Sequence, residues 1–201
     1  IKETENEMKI FGINGSPRKK SNTRFLLREA LDECQKAGAE TKLFNAMEIL
    51  EDQEVPFCEH CSSPCNRSCY TGKKLEQVFE ELKEADGIIL SSPVYFGSVS
   101  AQLKAIWDMS RAVRTEQALV GKVGAAIAVG ASTYGGQETT IRALHDMLLV
   151  QGMTVVGNGV KGIDVGHQGA AGKEKVFDDK RAIEDARNTG KRVVNTIGSD
   201  K

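Results

Sequence analysis

Residues 8–23 read MKIFGINGSPRKKSNT, and this stretch decides the fold. Its first part, residues 8–14, is a short apolar run that predicts a buried β-strand. Gly15 ends the run, polar residues follow, and residues 22–36 then place apolar side chains at helical spacing. A strand, a turn and a helix in this order are typical of the first unit of a parallel α/β sheet.

The same alternation of strand and helix continues along the chain. Further strands are predicted at 40–44, 87–91, 123–129 and 154–156, with helices at 75–85, 101–113, 137–151 and 178–196. A cysteine-rich loop, residues 45–70, follows the second strand. The pattern predicts a flavodoxin-like, doubly wound five-stranded parallel sheet in the order 2-1-3-4-5. One domain is expected over residues 8–201, after a flexible tail at residues 1–7.

Charge and hydropathy exclude several classes of partner. The net charge is −1, so the chain lacks the basic field that would hold nucleic acid or an anionic membrane. No apolar run approaches the roughly 20 residues that a membrane-spanning helix needs. Residues 1–7 are polar and acidic, unlike a secretion signal. We therefore expect a cytoplasmic protein with no nucleic-acid or membrane partner.

The predicted sheet order indicates where a ligand would bind. In doubly wound sheets, ligands lie outside the carboxyl ends of the strands, near the switch between the first and third strands. That rule selects three loops, at residues 15–23, 93–100 and 130–137, which are rich in Gly, Ser, Thr and Tyr. We expect these loops to form one binding site.

The first loop has the composition of a phosphate site at a helix N-terminus. Free backbone N–H groups and partial positive charge at such a terminus favour a phosphate dianion. Ser16, Ser21 and Thr23 add hydroxyl donors, Asn22 can cap the helix, and Arg18 can pair with the charge. The alternative is an ordinary polar turn with a helix cap.

Two other kinds of phosphate loop do not fit the spacing. A Walker loop requires glycine where Asn14 and Lys19 stand, and the Rossmann pattern fails because Gly12 and Gly15 are three residues apart. Nucleoside triphosphate hydrolysis is therefore not expected. No Ser–His–Asp or paired-carboxylate arrangement is visible either, and no catalytic side chain is predicted.

Three motifs resemble those of the NADPH-dependent FMN reductase family. GSPRKKSNT at 15–23 is similar to that family's FMN-phosphate loop. SPVYFGSVS at 92–100 resembles the signature that wraps the isoalloxazine ring, and residues 130–137 resemble the third loop on the flavin side. The resemblance spans residues 8–196 and implies an FMN-dependent oxidoreductase, with NAD(P)H as a transient electron donor.

The resemblance also implies which residues contact FMN. They are Ser16, Arg18, Ser21, Asn22, Thr23, Pro93, Val94, Tyr95, Phe96, Gly97, Ser98, Ser132, Tyr134, Gly135 and Gly136. Gly97 would let the backbone approach the ring edge, while Tyr95 and Phe96 would cover or border the ring. Plain core packing is the alternative for these two aromatic residues. Trp107, on the following helix, is predicted to be a core residue.

Four of the five cysteines lie within residues 58–69. In a reducing compartment, a tight group such as Cys58, Cys61, Cys65 and Cys69 indicates a metal or redox centre rather than a disulfide framework. Cys34 stands apart on the first predicted helix, where it is expected to be a small core residue.

This cysteine group resembles the compact motif with which iron–sulfur flavoproteins hold a [4Fe–4S] cluster. The gaps between the cysteines are two, three and three residues, whereas the usual pattern is C-x2-C-x2-C-x4-7-C. A structural zinc site and free or redox-active thiols are the two alternatives.

Together these features predict an enzyme in which FMN and a [4Fe–4S] cluster exchange electrons. One alternative is a cluster-free NAD(P)H-dependent FMN or quinone reductase. Another, of a different class, is a non-enzymatic flavin-binding redox sensor. The expected electron donor is NAD(P)H or a ferredoxin-like protein, and the resemblance implies a homodimer or homotetramer.

Overall fold

Largely apolar runs form the central strands of one parallel sheet. The computed structural model describes residues 7–199; most of the predicted tail, residues 1–6, lies outside the described residues. Its strands are β1 (Lys9–Asn14), β2 (Glu40–Asn45), β3 (Gly87–Pro93), β4 (Val123–Val129), β5 (Thr154–Val155) and β6 (Ala170–Gly172). They run parallel in the order β2-β1-β3-β4-β5, as predicted, and β6 also pairs with β4.

The strand predicted at residues 154–156 is present as β5, and a second short strand, β6, was not predicted. β5 pairs with the start of β4, and β6 pairs with its end, so two short strands share this position. After Val156, which still donates to the Gly124 carbonyl of β4 at 2.9 Å, the chain leaves the sheet until β6, and part of this segment bonds to itself. The Asn158 amide N donates to the His167 carbonyl at 3.1 Å, and the Val160 amide N donates to the Asp164 carbonyl at 2.9 Å. Backbone groups satisfied within the loop do not need the sheet.

Helices cover both faces of the sheet. They are α1 (Asn22–Lys36), α2 (Ala46–Ile49), α3 (Lys74–Glu84), α4 (Ala101–Met109), α5 (Arg111–Thr115), α6 (Gln137–Leu149) and α7 (Lys180–Ser199), with a 3-10 turn at Val176–Asp178. Two predictions are corrected. The cysteine-rich loop 45–70 begins with the short helix α2, and the single helix predicted over residues 101–113 is broken at Ser110.

The core has two halves, one on each face of the sheet. One half packs helices α3, α4 and α6 against alternate residues of the central strands, including Phe11, Ile88 and Ala126. The other half packs α1 and α7 against the intervening residues, including Ile10 and Ile89. This alternation follows from the two-residue period of a strand that is buried on both faces.

Helices α1 and α7 pack closely against each other. A Cβ atom on Gly190, in the middle of α7, would lie 2.1 Å from the carbonyl oxygen of Ala30 in α1. Only glycine therefore allows this approach. Cys34 of α1 is fully buried beside it, where its Sγ donates to the Gly190 carbonyl at 3.6 Å, which confirms its predicted place in the core.

Trp107 also lies in the core, as predicted. Its side chain is buried in the half that contains α3, α4 and α6, and its indole Nε1 donates to the Met147 carbonyl of α6 at 2.6 Å. A satisfied N–H is what a buried tryptophan requires, so this residue needs no role at a ligand site.

Candidate functional site

The three loops selected from the sequence meet at one end of the sheet. Asn14 at the end of β1 is paired with Ser91 of β3, and Pro93 at the end of β3 is paired with Val129 of β4. The chain leaves each strand there, so residues 15–23, 93–100 and 130–137 begin side by side. The register of the parallel strands thus brings together segments that are far apart in the sequence.

The first loop turns tightly before α1. The Ser16 amide N donates to Asn14 Oδ1 at 3.2 Å, and the Arg18 amide N donates to Ser16 Oγ at 3.3 Å. The N-cap of α1 is Ser21, whose hydroxyl accepts from the Arg24 amide N at 3.1 Å. The prediction that Asn22 caps the helix is therefore wrong, because Asn22 is already the first helical residue.

A cavity of about 260 Å³ opens between the loops at this helix N-terminus. Eight predicted residues line it: Ser16, Arg18, Ser21, Asn22, Thr23, Pro93, Val94 and Tyr95. Ser16 and Thr23 are buried at its base, while Arg18 is exposed at its rim. A larger cavity, of about 690 Å³, lies along residues 157–167 and Arg192 and shares no lining residue with it.

Other residues of this cavity were missed by the sequence reasoning. Lys20, Val129, Gly130, Ala131 and Glu174 also line it. Lys20 belongs to the predicted phosphate loop, so its cationic side chain was a usable signal. Glu174 follows β6, and no local pattern marks it, because its position depends on where the chain returns after residues 156–169.

Hydrogen bonds of serine side chains connect the first loop to the second. Ser100 Oγ donates to the Gly15 carbonyl at 2.7 Å, and the Ser100 amide N donates to Ser92 Oγ at 2.9 Å. The Gly15 amide N donates to the Ser91 carbonyl at 2.7 Å. Ser100 is also the N-cap of α4. A serine directly before a helix is a sequence signal that could have identified this contact.

The second loop ends in a two-residue reverse turn. Tyr95 and Ser98 exchange backbone hydrogen bonds of 2.9 and 3.1 Å across Phe96 and Gly97. Both central residues are left-handed, with φ of 49° for Phe96 and 79° for Gly97, as in a type I′ turn. Glycine adopts this conformation without cost, but phenylalanine rarely does.

The turn therefore presents an aromatic side chain at a strained backbone position. Phe96 is fully exposed and Tyr95 is 40% exposed, so the alternative of core packing is wrong for both residues. Strain of about 1–3 kcal/mol persists where the surrounding structure enforces it, and it is concentrated at ligand sites.

The third loop is organised by the side chain of Gln137, the first residue of α6. Its Nε2 donates to the Ser132 carbonyl at 2.6 Å and to the Gly172 carbonyl at 3.1 Å, and its Oε1 accepts from the Gly135 amide N at 2.9 Å. Thr139 Oγ1 lies 3.0 Å from the Gly97 carbonyl and donates across to the second loop. The start of α6 thus holds the second and third loops together.

The remaining predicted residues surround the cavity without lining it. Phe96, Gly97, Ser98, Ser132 and Gly135 form the turn of the second loop and the body of the third. Tyr134, which is almost fully exposed, and Gly136 line an adjoining cavity of about 660 Å³ on the other side of the third loop. The structure thus brings these residues to the same end of the sheet, outside the first cavity.

All four loop cysteines are free thiols, and two of them pack against the core. Cys58 and Cys69 pack against the same half of the core as Val99, which belongs to the second loop. Burial raises the pKa of the Cys69 thiol, and the negative charges of Cys65, Cys61 and Cys58 raise this pKa further.

The chemistry of the four loop cysteines limits which metal group they could hold. Over residues 7–199, no three His, Cys, Asp or Glu side chains are grouped closely enough to ligate a single metal ion. A cubane cluster takes each of its four thiolates at a different iron, so its ligands stand further apart than those of tetrahedral zinc. Four cysteines on one loop offer the number and kind of ligand that such a cluster takes.

Comparison with known proteins places these features in a family. The family model described as NADPH-dependent FMN reductase matches residues 8–168. Across the part of the chain that the structure describes, no helix is long and apolar enough to span a membrane.

Full-length relatives carry a more specific name. An iron–sulfur flavoprotein of Methanocaldococcus jannaschii is 43% identical over 196 residues, which cover 94% of this chain and 97% of that protein. Another, from Methanosarcina thermophila, is 35% identical and covers 94% of this chain and 95% of its own length.

Solved structures agree on the fold. A flavodoxin, WrbA-like protein from Agrobacterium tumefaciens has a TM-score of 0.66 at 19% identity, covering 97% of this chain and 99% of its own. Taken with the three converging loops and the cysteine group, these matches show that the chain belongs to the NADPH-dependent FMN reductase family and, within it, to the iron–sulfur flavoproteins.

Proposed function

We propose that the chain is an FMN-dependent oxidoreductase that passes electrons between FMN and a [4Fe–4S] cluster. The observation that carries this proposal is the convergence of three loops on the N-terminus of a 15-residue helix, in a chain that also carries four free cysteines on one loop. The helix terminus favours a phosphate dianion, and the cysteines favour iron.

The first loop would hold the FMN phosphate. Ser16, Ser21 and Thr23 supply hydroxyl groups, Asn22 and Thr23 begin the helix, and Arg18 supplies a positive charge at the rim. Ser16 and Thr23 are buried and line the cavity, so their hydroxyl groups would meet a bound phosphate with little competition from bulk water. This arrangement distinguishes a phosphorylated flavin from riboflavin.

The second and third loops would hold the isoalloxazine ring. We assign this role to Pro93, Val94, Tyr95, Phe96, Gly97, Ser98, Ser132, Tyr134, Gly135 and Gly136. Bound FMN supplies hydride and electron transfer, and the protein orients it and controls access. The hydrogen bonds of Ser100, Gln137 and Thr139 fix the loops before the cofactor binds, which lowers the entropy cost of binding.

Cys58, Cys61, Cys65 and Cys69 would ligate the cluster. Cluster assembly requires thiols that are kept reduced, which supports a cytoplasmic location. For the electron donor we propose NAD(P)H or a ferredoxin-like protein. The exposed side chains of Phe96 and Tyr134 beside the site support a homodimer or homotetramer, since apolar surface of this kind is usually covered. We assign the whole of residues 8–201 to one FMN-binding domain.

Metal analysis of anaerobically purified protein tests the cluster. We expect about four iron and four sulfide per chain, the content of one cubane cluster. Cys61→Ala or Cys65→Ala should remove most of the iron and leave FMN bound, because the flavin loops lie on other segments. Cys34→Ala is the matched control, since burial raises the pKa of that thiol to about 12 and it lies on α1.

The result also separates the alternative functions. Stoichiometric zinc without iron would contradict the cluster and favour a cluster-free reductase. Steady-state turnover of iron-loaded protein with NADPH or a reduced ferredoxin identifies an enzyme. A flavin that is reduced only once, with no turnover by either donor, would instead favour a redox sensor.

A further inference from the structure

The break at Ser110 between α4 and α5 is built into the core. Ser110 Oγ donates to the Trp107 carbonyl at 2.6 Å, and Gln151 Nε2 donates to Ser110 Oγ at the same distance. Ser110 and Gln151 are both buried. No glycine or proline interrupts the helix here, so the break is maintained by these hydrogen bonds.

The break directs the first residue of α5 to the cysteine loop. Arg111 Nη1 donates to the carbonyl oxygen of Ser62 at 3.1 Å. Ser62 follows Cys61 directly in the sequence, so the guanidinium contacts the segment between Cys61 and Cys65. Nothing in the local sequence predicts this contact, because Ser62 and Arg111 are 49 residues apart.

A second contact reaches the next segment of the same loop. Glu116, at the C-cap of α5, forms an ion pair with Arg67, which lies between Cys65 and Cys69. Glu116 also pairs with Lys83 of α3 at 2.7 Å. Within residues 7–199, no other side-chain hydrogen bond or ion pair joins residues 58–69 to a helix or strand outside the loop.

The charges of the two contacts differ. The carboxylate of Glu116 balances Arg67, whereas Arg111 forms no ion pair with any carboxylate in the described part of the chain. Its positive charge therefore remains available to the loop. A cluster with four thiolate ligands is anionic and becomes more so on reduction, so a nearby cation and hydrogen-bond donor favours the reduced form.

We propose that Arg111 is a positioning residue for the cluster: it anchors the cysteine loop to the helix pair α4–α5 and raises the cluster's reduction potential. Glu116 is the second anchor. Because Ser100 joins the start of α4 to the first flavin loop, the two redox centres share one rigid support. This proposal rests on the proposed function for its electrostatic part only.

The test compares Arg111→Met with Arg114→Met. Both arginines lie on α5, but the Arg114 side chain is exposed and makes no hydrogen bond or ion pair in the described structure. Arg111→Met should speed tryptic cleavage after Arg67 about tenfold, in the full chain as purified and after iron removal, as expected for loss of one charge-assisted hydrogen bond. Arg114→Met should cleave like the unmodified protein.

Redox titration supplies the second readout. In Arg111→Met, the midpoint potential of the cluster should become more negative while the FMN content and the flavin potential stay unchanged. Arg111→Lys should restore most of the cluster potential, because it retains the charge, but less of the protease resistance. Equal cleavage rates and equal cluster potentials in Arg111→Met and Arg114→Met would overturn the proposal.

Failure of the proposed function can be told apart from failure of the proposal for Arg111. If the unmodified protein holds no iron, the cluster assignment and the electrostatic part of the proposal fall together. The cleavage comparison would then still decide whether Arg111 anchors the loop, because it needs no cluster.

Discussion

At the scale of single residues, the candidate site depends on side chains that are buried but polar. Ser16 and Thr23 have almost no exposed surface, yet both line the cavity at the N-terminus of α1. A hydroxyl group in such a place loses contact with bulk water, so its interaction with a charged ligand is strengthened.

Ser16→Ala and Thr23→Ala should each weaken FMN binding by about 1–3 kcal/mol, because the phosphate would lose one donor. The stability of the flavin-free fold should change by less than this. Fluorescence titration of apo-protein with FMN measures the affinity. Thr196→Ala is the matched control, since this partly exposed threonine lies on α7 outside the cavity. If both variants bind FMN as tightly as the unmodified protein, these residues shape the turn but do not contact the phosphate.

The sequence was sufficient to predict most residues of the cavity, because loop composition after a strand is a local property. It was less informative about orientation. Ser21 rather than Asn22 caps α1, and Phe96 is exposed in a left-handed turn rather than packed in the core. Both outcomes depend on backbone angles set by the neighbouring loops, and no residue type specifies those angles by itself.

At the scale of elements, the close packing of α1 and α7 reverses a usual rule. Glycine in the middle of a helix normally costs about 1 kcal/mol relative to alanine. At Gly190 the added methyl group would approach the Ala30 carbonyl oxygen far inside contact distance. The steric cost here exceeds the gain in helix propensity.

Gly190→Ala should therefore destabilise the fold by about 1–3 kcal/mol, the usual cost of overpacking. Gly198→Ala in the same helix is the matched control: no heavy atom lies within 4 Å of its added Cβ. That variant should be neutral or more stable by up to about 1 kcal/mol. Urea denaturation measures both, and equal effects would contradict the packing described between the helices.

The spacing of apolar residues predicted the helices and strands correctly wherever one face of the element is buried. Periodicity failed at Ser110, where apolar spacing continues but hydrogen bonds from Gln151 and to Trp107 favour a break. It also missed β6: the strand predicted at residues 154–156 is present as β5, but no pattern marks the return of the chain to the sheet at Ala170. Long-range partners decided both cases.

At the scale of the whole molecule, ligand binding should be visible as stability. FMN at about a hundredfold excess over its dissociation constant should stabilise the fold by about 2.7 kcal/mol. For a chain of this size, the melting temperature should then rise by about 5–10 °C. Riboflavin at the same concentration should give a clearly smaller rise, because it lacks the phosphate that the N-terminus of α1 would bind. Equal shifts would contradict the phosphate assignment.

The strand order was predictable because it follows from global rules. Alternating strands and helices imply a parallel sheet, and crossover connections of one hand leave few orders to consider. Glu174 shows the limit of such rules: it reaches the cavity from the segment after β6. Its place depends on the path of residues 156–169, which no pattern in the sequence indicates.

The division of the fifth strand position into β5 and β6 has a consequence for colloidal behaviour. This edge of the sheet consists of a two-residue strand, β5, and a separate three-residue strand, β6. An edge interrupted in this way is a poor template for pairing with another chain. At the opposite rim, β2 carries Lys42, which pairs with Glu40 and Glu81. Charge protects one rim and interruption protects the other, and both features oppose edge-to-edge pairing and amyloid-like stacking of exposed strands.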